Sequence, residues 1–304
     1  MKDTKALQDR ILELKKKKNA VIVAHNYQVQ EVQNIADFTG DSLELARESA
    51  TAKGDMIVFC GVKFMAETAK ILSPEKKVLL PRPDAGCPMA NMITPDDVRK
   101  LRKKYPEHTF VAYVNTNADV KTMVDICCTS ANALRIVEAL PNDKIYFLPD
   151  QNLGRWVQTQ TSKEILTWDG YCYVHHQITE DDVFKGKSQH PNARIMIHPE
   201  APLPVLAHAD AVLSTGQMLR YAEESSAQEF LIGTEEGLIA VLQKKYPDKN
   251  FYPLGRRFTC RNMKVTDLQS VHFCLENEIP EIKLSAETIE KARKPIEKML
   301  ELSG

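Results

Sequence analysis

Ala20-Val21-Ile22-Val23-Ala24-His25-Asn26-Tyr27 is the stretch that decides how this chain reads. Five apolar residues in succession lack the alternation of a strand with one wet face. Such uniform runs belong to strands buried on both faces, as in parallel sheets. The run ends abruptly on polar groups. Before it, Leu7, Ile11, Leu12 and Leu14 recur at helical spacing between Ala6 and Lys18. After it comes a helical stretch from Val32 to Ala52 broken at Gly40, then Met56-Ile57-Val58-Phe59-Cys60 ending at Gly61. A helix near Ala66 to Leu72 and a third strand, Lys76 to Leu80, lead to Asp84-Ala85-Gly86-Cys87-Pro88. The unit is helix, strand, helix, strand, helix, strand, cysteine loop.

The same order recurs twice. In the second copy Asp96 to Lys104 is helical, Thr109 to Ala112 is a strand ending at Tyr113, and Asn132 to Leu140 is a helix. Lys144 to Leu148 is a strand ending at Pro149-Asp150-Gln151-Asn152, and Glu164-Ile165-Leu166 leads to Cys172. In the third, Asp181 to Lys187 precedes Arg194 to Ile197, and Ala211-Val212-Leu213 reads as an additional short strand. Phe230 to Ile232 ends at Gly233, Gly237 to Lys245 is helical, and Asn250-Phe251-Tyr252 leads to Cys260. Asp267 to Glu276 and Ala286 to Leu302 close the chain as helices. A repeat of this length is a small domain. The expected division is 1–90, 91–175 and 176–285, with a C-terminal helix in 286–304 packed on the first repeat. Alternating strands and helices imply parallel sheets with helices on their faces, and ligands then bind beyond the carboxyl ends of the strands.

Polar residues keep the step. Cys87, Cys172 and Cys260 lie 85 and 88 residues apart. Strand ends carry His25-Asn26-Tyr27, Tyr113-Val114-Asn115 and His198-Pro199-Glu200. Hydroxyl groups recur at Gly40-Asp41-Ser42, Thr129-Ser130-Ala131-Asn132 and Ser214-Thr215-Gly216-Gln217. Each hydroxyl on its own reads as a helix N-cap. Three in register at one face read as a pocket for a small polyanion, because helix N-termini supply amides and a positive dipole end. Two histidines at equivalent strand ends, one followed two residues later by an acid, suit proton transfer. Glu67 and Lys70 read as helix-surface residues.

Of 304 residues 43 % are hydrophobic, and 40 Lys+Arg stand against 41 Asp+Glu with eight His. That balance speaks against a nucleic-acid or membrane binder. The basic runs at Lys15 to Lys18 and Arg99 to Lys104 read as solvated helix faces. No apolar stretch approaches the ~20 residues needed to span a bilayer, and the first residues run into an amphipathic helix rather than a signal core. The expectation is a cytoplasmic protein. Seven cysteines, an odd number, do not form a disulfide framework there. Cys60, Cys127, Cys128 and Cys274 read as small buried hydrophobes. Cys87, Cys172 and Cys260 are too far apart for the close-paired ligands of structural zinc. An iron–sulfur cluster on three cysteines would leave one iron open as a Lewis acid. Spacing alone leaves zinc, such a cluster and plain core cysteines all standing.

These segments together resemble the A-type quinolinate synthase family of de novo NAD synthesis. The resemblance rests on Ala24-His25-Asn26-Tyr27, Ala36 to Ser42, Gly61 to Glu67, Cys87-Pro88-Met89-Ala90 and Tyr113-Val114-Asn115. It continues through Cys128 to Asn132, His198-Pro199-Glu200, Ser214 to Met218 and Cys260 to Lys264. It implies three Rossmann-like three-layer α/β/α repeats around a pseudo-threefold axis. It also implies a [4Fe–4S] cluster on Cys87, Cys172 and Cys260, with the fourth iron open to substrate or water. The implied reaction condenses iminoaspartate with dihydroxyacetone phosphate to quinolinate, phosphate and water. A transient contact with the aspartate-oxidising enzyme that supplies iminoaspartate goes with it. Substrate-binding residues carried over are His25, Ser42, Tyr113, Val114, Asn115, Ser130, His198, Pro199, Glu200, Ser214 and Thr215. Tyr27, Glu200, Tyr113 and His198 carry over as catalytic groups.

Two segments depart from the family pattern. Asn262-Met263 follow Cys260 where some relatives place further cysteines, so a regulatory disulfide there is not available. The segment Gly170 to His176 around Cys172 is looser than the usual form at Tyr173 and His176. A cluster-bearing hydro-lyase for another small acid is the rival enzyme. A redox-sensing or structural iron–sulfur scaffold is the rival of another class, but it would have no use for His25, Tyr113 and Glu200 together.

Overall fold

A computed structural model describes residues 2–303. The run at Ala20 forms β1 (Ala20–His25), one of two inner strands of a four-stranded parallel sheet with β2 (Phe38–Gly40), β3 (Met56–Cys60) and β4 (Lys77–Leu79). Ile22, Val23 and Ala24 are fully buried, as two covered faces require. Side chains alternate between faces: Val23, Ile57 and Phe59 join one core, while Ile22, Ala24, Met56, Val58 and Cys60 join another.

The second sheet contains β5 (Thr109–Tyr113), β6 (Ile126–Cys128), β7 (Lys144–Leu148) and β8 (Glu164–Thr167). The third contains β9 (Arg194–Ile197), β10 (Ala211–Val212), β11 (Glu229–Gly233) and β12 (Asn250–Pro253). Strand orders are β2-β1-β3-β4, β6-β5-β7-β8 and β10-β9-β11-β12. In each, the chain steps outward to an edge strand and then crosses back, so the switch point lies between the repeat's two long inner strands. The fold is α/β, three Rossmann-like repeats, and one apolar core runs through all three.

Each repeat thus has four strands. The strand legible in the sequence as an addition to the third repeat, β10, is the counterpart of β2 and β6. Those two are three-residue edge strands, too short for any periodicity, and Phe38 is 40 % exposed. They were hidden within the helical stretch from Val32 and beside Cys127.

The cysteine loops close the ring. Seven residues after Cys87, Cys172 and Cys260 stand Thr94, Thr179 and Asp267. Each caps a ten-residue helix through a capping box: Pro95–Lys104, Glu180–Gln189 and Leu268–Asn277. The first two open the second and third repeats. The third has no fourth repeat to open and returns to the first sheet, where Leu268, Val271, Cys274 and Leu275 pack with Ile11, Ile22 and Val58. Residues 268–277 therefore lie on the first sheet and not on the third, where 176–285 had placed them.

The C-terminal helix Ala286–Leu302 also corrects an expectation. It lies chiefly against β6 and the helices Ala118–Lys121 and Ala133–Ala139 of the second repeat, and touches Lys63–Leu72 of the first. At its end Asn132 donates to Ser303 Oγ at 2.6 Å, and Arg135 to the Ser303 carbonyl at 2.9 Å. The short edge strand β6 leaves a face to cover, and Ala292, Ile296 and Met299 cover it. Glu67 is likewise not on a helix surface. It is 4 % exposed and accepts the Ala118 N–H at 2.9 Å, tying the first repeat to the second.

If the late helix is part of the first repeat's core, Leu275→Ala should cost about 2–5 kcal/mol, as a central core truncation does. Urea denaturation against Phe273→Ala, whose side chain is half exposed, checks this. Equal small losses from both would disprove the closure.

Candidate active site

The carboxyl ends of all three sheets face one cavity. First come the residues that leave the inner strands β1, β5 and β9. Extended chain sends alternate side chains the same way, so the first and third residues of each tripeptide enter: His25 and Tyr27, Tyr113 and Asn115, His198 and Glu200. The middle residues do not line it. Val114 is buried and Asn26 donates to Thr215 Oγ1 at 3.1 Å. Pro199 is also absent from the lining, so Val114 and Pro199 correct the sequence expectation at the side-chain level.

The hydroxyl groups divide in the same manner. Ser42, Ser130 and Thr215 line the cavity. Ser214 stands one residue behind, capping Thr215–Glu224 by accepting the Gln217 N–H at 3.3 Å and donating to Asp41 Oδ2 at 3.3 Å. Asp41, which the sequence reading passed over, faces the cavity and caps Ser42–Thr51. Among the described residues no lysine or arginine lines the cavity.

Glu200 is the centre of the electrostatics. It is 2 % exposed, yet its carboxyl group is held down to about 2. Burial alone would raise it, but the rings of His175 and His198 and the hydrogen bonds from His175 and Tyr113 outweigh that. Tyr113 donates to Oε1 at 2.5 Å, and His175 Nδ1 lies 2.6 Å from Oε2. The contact runs on: His175 Nε2 is 2.8 Å from Thr234 Oγ1, which is 2.6 Å from the Tyr27 hydroxyl. Tyr113, Glu200, His175, Thr234 and Tyr27 thus form one hydrogen-bonded chain with a phenol at each end. Burial and the Glu200 charge raise both phenols.

His25 and His198 are mates by symmetry. In each, Nδ1 accepts the N–H two residues on, from Tyr27 at 3.1 Å and from Glu200 at 3.4 Å. That leaves Nε2 as the protonated nitrogen of a neutral ring. Burial, with Lys264 beside one and His175 beside the other, lowers both to about 3. His198 Nε2 reaches Ser130 Oγ at 3.2 Å.

All three half-buried cysteines of equal spacing, Cys87, Cys172 and Cys260, line this cavity as free thiols. Cys60, Cys127, Cys128 and Cys274 are buried elsewhere. Backbone amides face each sulfur: Met89 and Ala90 at Cys87, His175 at Cys172, Asn262 and Met263 at Cys260. Burial pushes all three thiols up, Cys87 to about 12, so a bound cation is needed to hold them as thiolates. Three sulfurs from three repeats, each with amide donors, fit an iron–sulfur cluster with three protein ligands. Cys172, His175 and Glu200 also bring one donor atom each within 4.8 Å. Both His175 nitrogens are already engaged, so that group reads as part of the hydrogen-bonded chain.

His175 and Thr234 are the residues that sequence reasoning missed. His175 lies three residues after Cys172, in a segment whose sequence signals are the cysteine and the departures at Tyr173 and His176. Thr234 follows β11, one residue beyond the Gly233 that marks the strand's end in the sequence.

A family described as quinolinate synthetase A protein matches residues 9–301. The chain is 51 % identical to a quinolinate synthase of Caldicellulosiruptor saccharolyticus over 99 % of its own length and 100 % of that protein's. It is 50 % identical to that of Methanoregula boonei over 99 % and 100 %, and 50 % identical to that of Aquifex aeolicus over 99 % and 95 %. With three four-stranded parallel sheets turned on one cavity and near-complete coverage by such relatives, this chain belongs to the quinolinate synthetase A family.

Proposed function

We propose that this protein is a quinolinate synthase. It condenses iminoaspartate with dihydroxyacetone phosphate, and the products are quinolinate, phosphate and two molecules of water. Cys87, Cys172 and Cys260 would hold a [4Fe–4S] cluster. The convergence of these three thiols on the cavity that also contains the Tyr113-to-Tyr27 chain carries the reading. When bound, the cluster supplies a Lewis-acidic iron for loss of hydroxyl and carbonyl oxygen.

The chain's own residues account for the remaining work. Both substrates are anions. The lining meets them with neutral donors: the Nε2–H groups of His25 and His198, the hydroxyls of Ser42, Ser130 and Thr215, and the helix start behind Thr215. Asn115 Oδ1 is buried without a protein partner, an acceptor left for a ligand's N–H or O–H. Condensation, ring closure and two dehydrations require protons to be taken from carbon and returned to leaving oxygens. Glu200 takes them, being ionised and joined to Tyr113. The phenols of Tyr113 and Tyr27 stay protonated and return them as acids. His175 and Thr234 let one phenol be recharged from the other end. The enclosed position keeps a hydrolysable imine from bulk water.

On anaerobic reconstitution Cys172→Ala should fail to take up the cluster while Cys274→Ala binds it normally, read by iron content and visible absorbance. The reverse pattern would refute the ligand set. Tyr113→Phe and Thr234→Val should keep the cluster and lower kcat by about 10²- to 10⁴-fold, a general acid–base contribution. Turnover matching the parent in both would sink the relay.

The neutral histidines predict a pH effect. In the unfolded chain they take protons near pH 6.5, in the folded protein only near 3. The unfolded state therefore binds more protons across that window, and stability falls as pH drops through it, by about 1.4 kcal/mol per unit for each ring. Denaturation of the cluster-free protein at pH 7 and pH 5 should show this, with a shallower fall in His198→Asn.

A further inference from the structure

The three cysteine loops are tied down unequally. Two residues after the ends of β3, β7 and β11 stand Val62, Asp150 and Glu235. A backbone bond shows that these positions correspond. In each repeat the next residue donates its N–H to the carbonyl two residues before the cysteine: Lys63 to Ala85, Gln151 to Gly170, Glu236 to Phe258, all at 2.8 Å. In the first repeat the corresponding side chain is that of Val62, which can accept no hydrogen bond. In the other two a carboxyl group adds a second.

Asp150 and Glu235 are both fully buried. Asp150 Oδ1 accepts the Leu153 N–H at 2.8 Å, at the start of the helix Gln151–Gln158, and Oδ2 accepts the Cys172 N–H at 3.2 Å. Glu235 repeats the bridge one sheet on. Its Oε2 accepts the Gly237 N–H at 2.7 Å, at the start of Gly237–Lys245, and Oε1 accepts the Cys260 N–H at 3.1 Å. One oxygen holds a helix start and the other holds a cysteine's own amide. A helix cap needs only the first. The second bond fixes the main chain from which the sulfur projects.

We propose that Asp150 and Glu235 are positioning residues that lock the Cys172 and Cys260 loops in the geometry the cluster requires. This rests on the reading that those cysteines hold a cluster. The carboxyl group matters because both of its oxygens accept. A primary amide of the same shape accepts at one oxygen and sets N–H against N–H at the other site. In a dry interior that mismatch displaces the loop rather than being absorbed by solvent.

Asp150→Asn and Glu235→Gln test this, with Asp182→Asn as control. Asp182 is a buried helix-capping carboxylate that accepts the Thr179 N–H at 3.0 Å, and none of its hydrogen bonds is to a cysteine. After anaerobic reconstitution, release of iron to a chelator is followed by loss of visible absorbance. Thermal midpoints of the cluster-free proteins are measured alongside. Release should be about 10- to 100-fold faster in Asp150→Asn and Glu235→Gln than in the parent, as for other groups that orient metal ligands. The Asp182→Asn protein should retain iron like the parent even if its midpoint falls as far. Equal release from all four proteins overturns the proposal, and so does acceleration that merely follows the midpoints. Glu235→Gln also removes the partner of Lys264, so a result confined to that variant, with Asp150→Asn like the parent, counts against the proposal. A parent that takes up no iron overturns the cofactor reading itself, a different result from a loaded parent with indifferent variants.

Discussion

Parallel pairing obliges every strand of a sheet to finish at the same edge, and each repeat turns that edge toward the other two. Edge strands are reached first and the crossover comes second, so a crevice opens beyond the two long inner strands. The carboxyl ends of all three sheets therefore surround one cavity. The lining side chains come from the turns after β1, β5 and β9, from the helix starts after β2, β6 and β10, and from the cysteine loops after β4, β8 and β12. The ring is completed because the helix after Cys260 has no further repeat to cover and folds back on the first sheet.

Burial sets the chemistry. Among the described residues no lysine or arginine lines the cavity, and the buried Glu200 carboxylate is held by its hydrogen bonds with Tyr113 and His175. Burial leaves His25 and His198 neutral, with their Nε2–H groups turned to the cavity. It also keeps the tyrosines protonated at the two ends of the chain through His175 and Thr234. The ammonium of Lys264, beside His25, is engaged by Glu235 at 3.0 Å and by the Tyr27 carbonyl at 2.5 Å. Cationic charge is kept behind the wall of the cavity, where it shapes His25 without competing for the ligand.

Much of this was legible along the chain. Uniformly apolar runs identified the inner strands because burial on both faces leaves no room for polar alternation. The equal spacing of Cys87, Cys172 and Cys260 identified the repeat, and tripeptides such as His198-Pro199-Glu200 marked its strand ends. What escaped were β2 and β6, whose three residues sit at sheet edges and carry no periodic signal. The packing of Leu268–Asn277 and Ala286–Leu302 also escaped, since an amphipathic helix records that it has a partner and not which one.

The sequence by itself determined three parallel sheets, three loop cysteines and the polar groups that follow β1, β5 and β9. These depend on local rules of burial, strand alternation and capping that operate within a few residues. Only the tertiary structure decided that Glu200 meets Tyr113 from one repeat and His175 from a neighbouring loop, and that Thr234 carries the chain to Tyr27. Such contacts join residues 25 to 207 positions apart. Their distances follow from how whole sheets pack, and no stretch of local sequence encodes that separately.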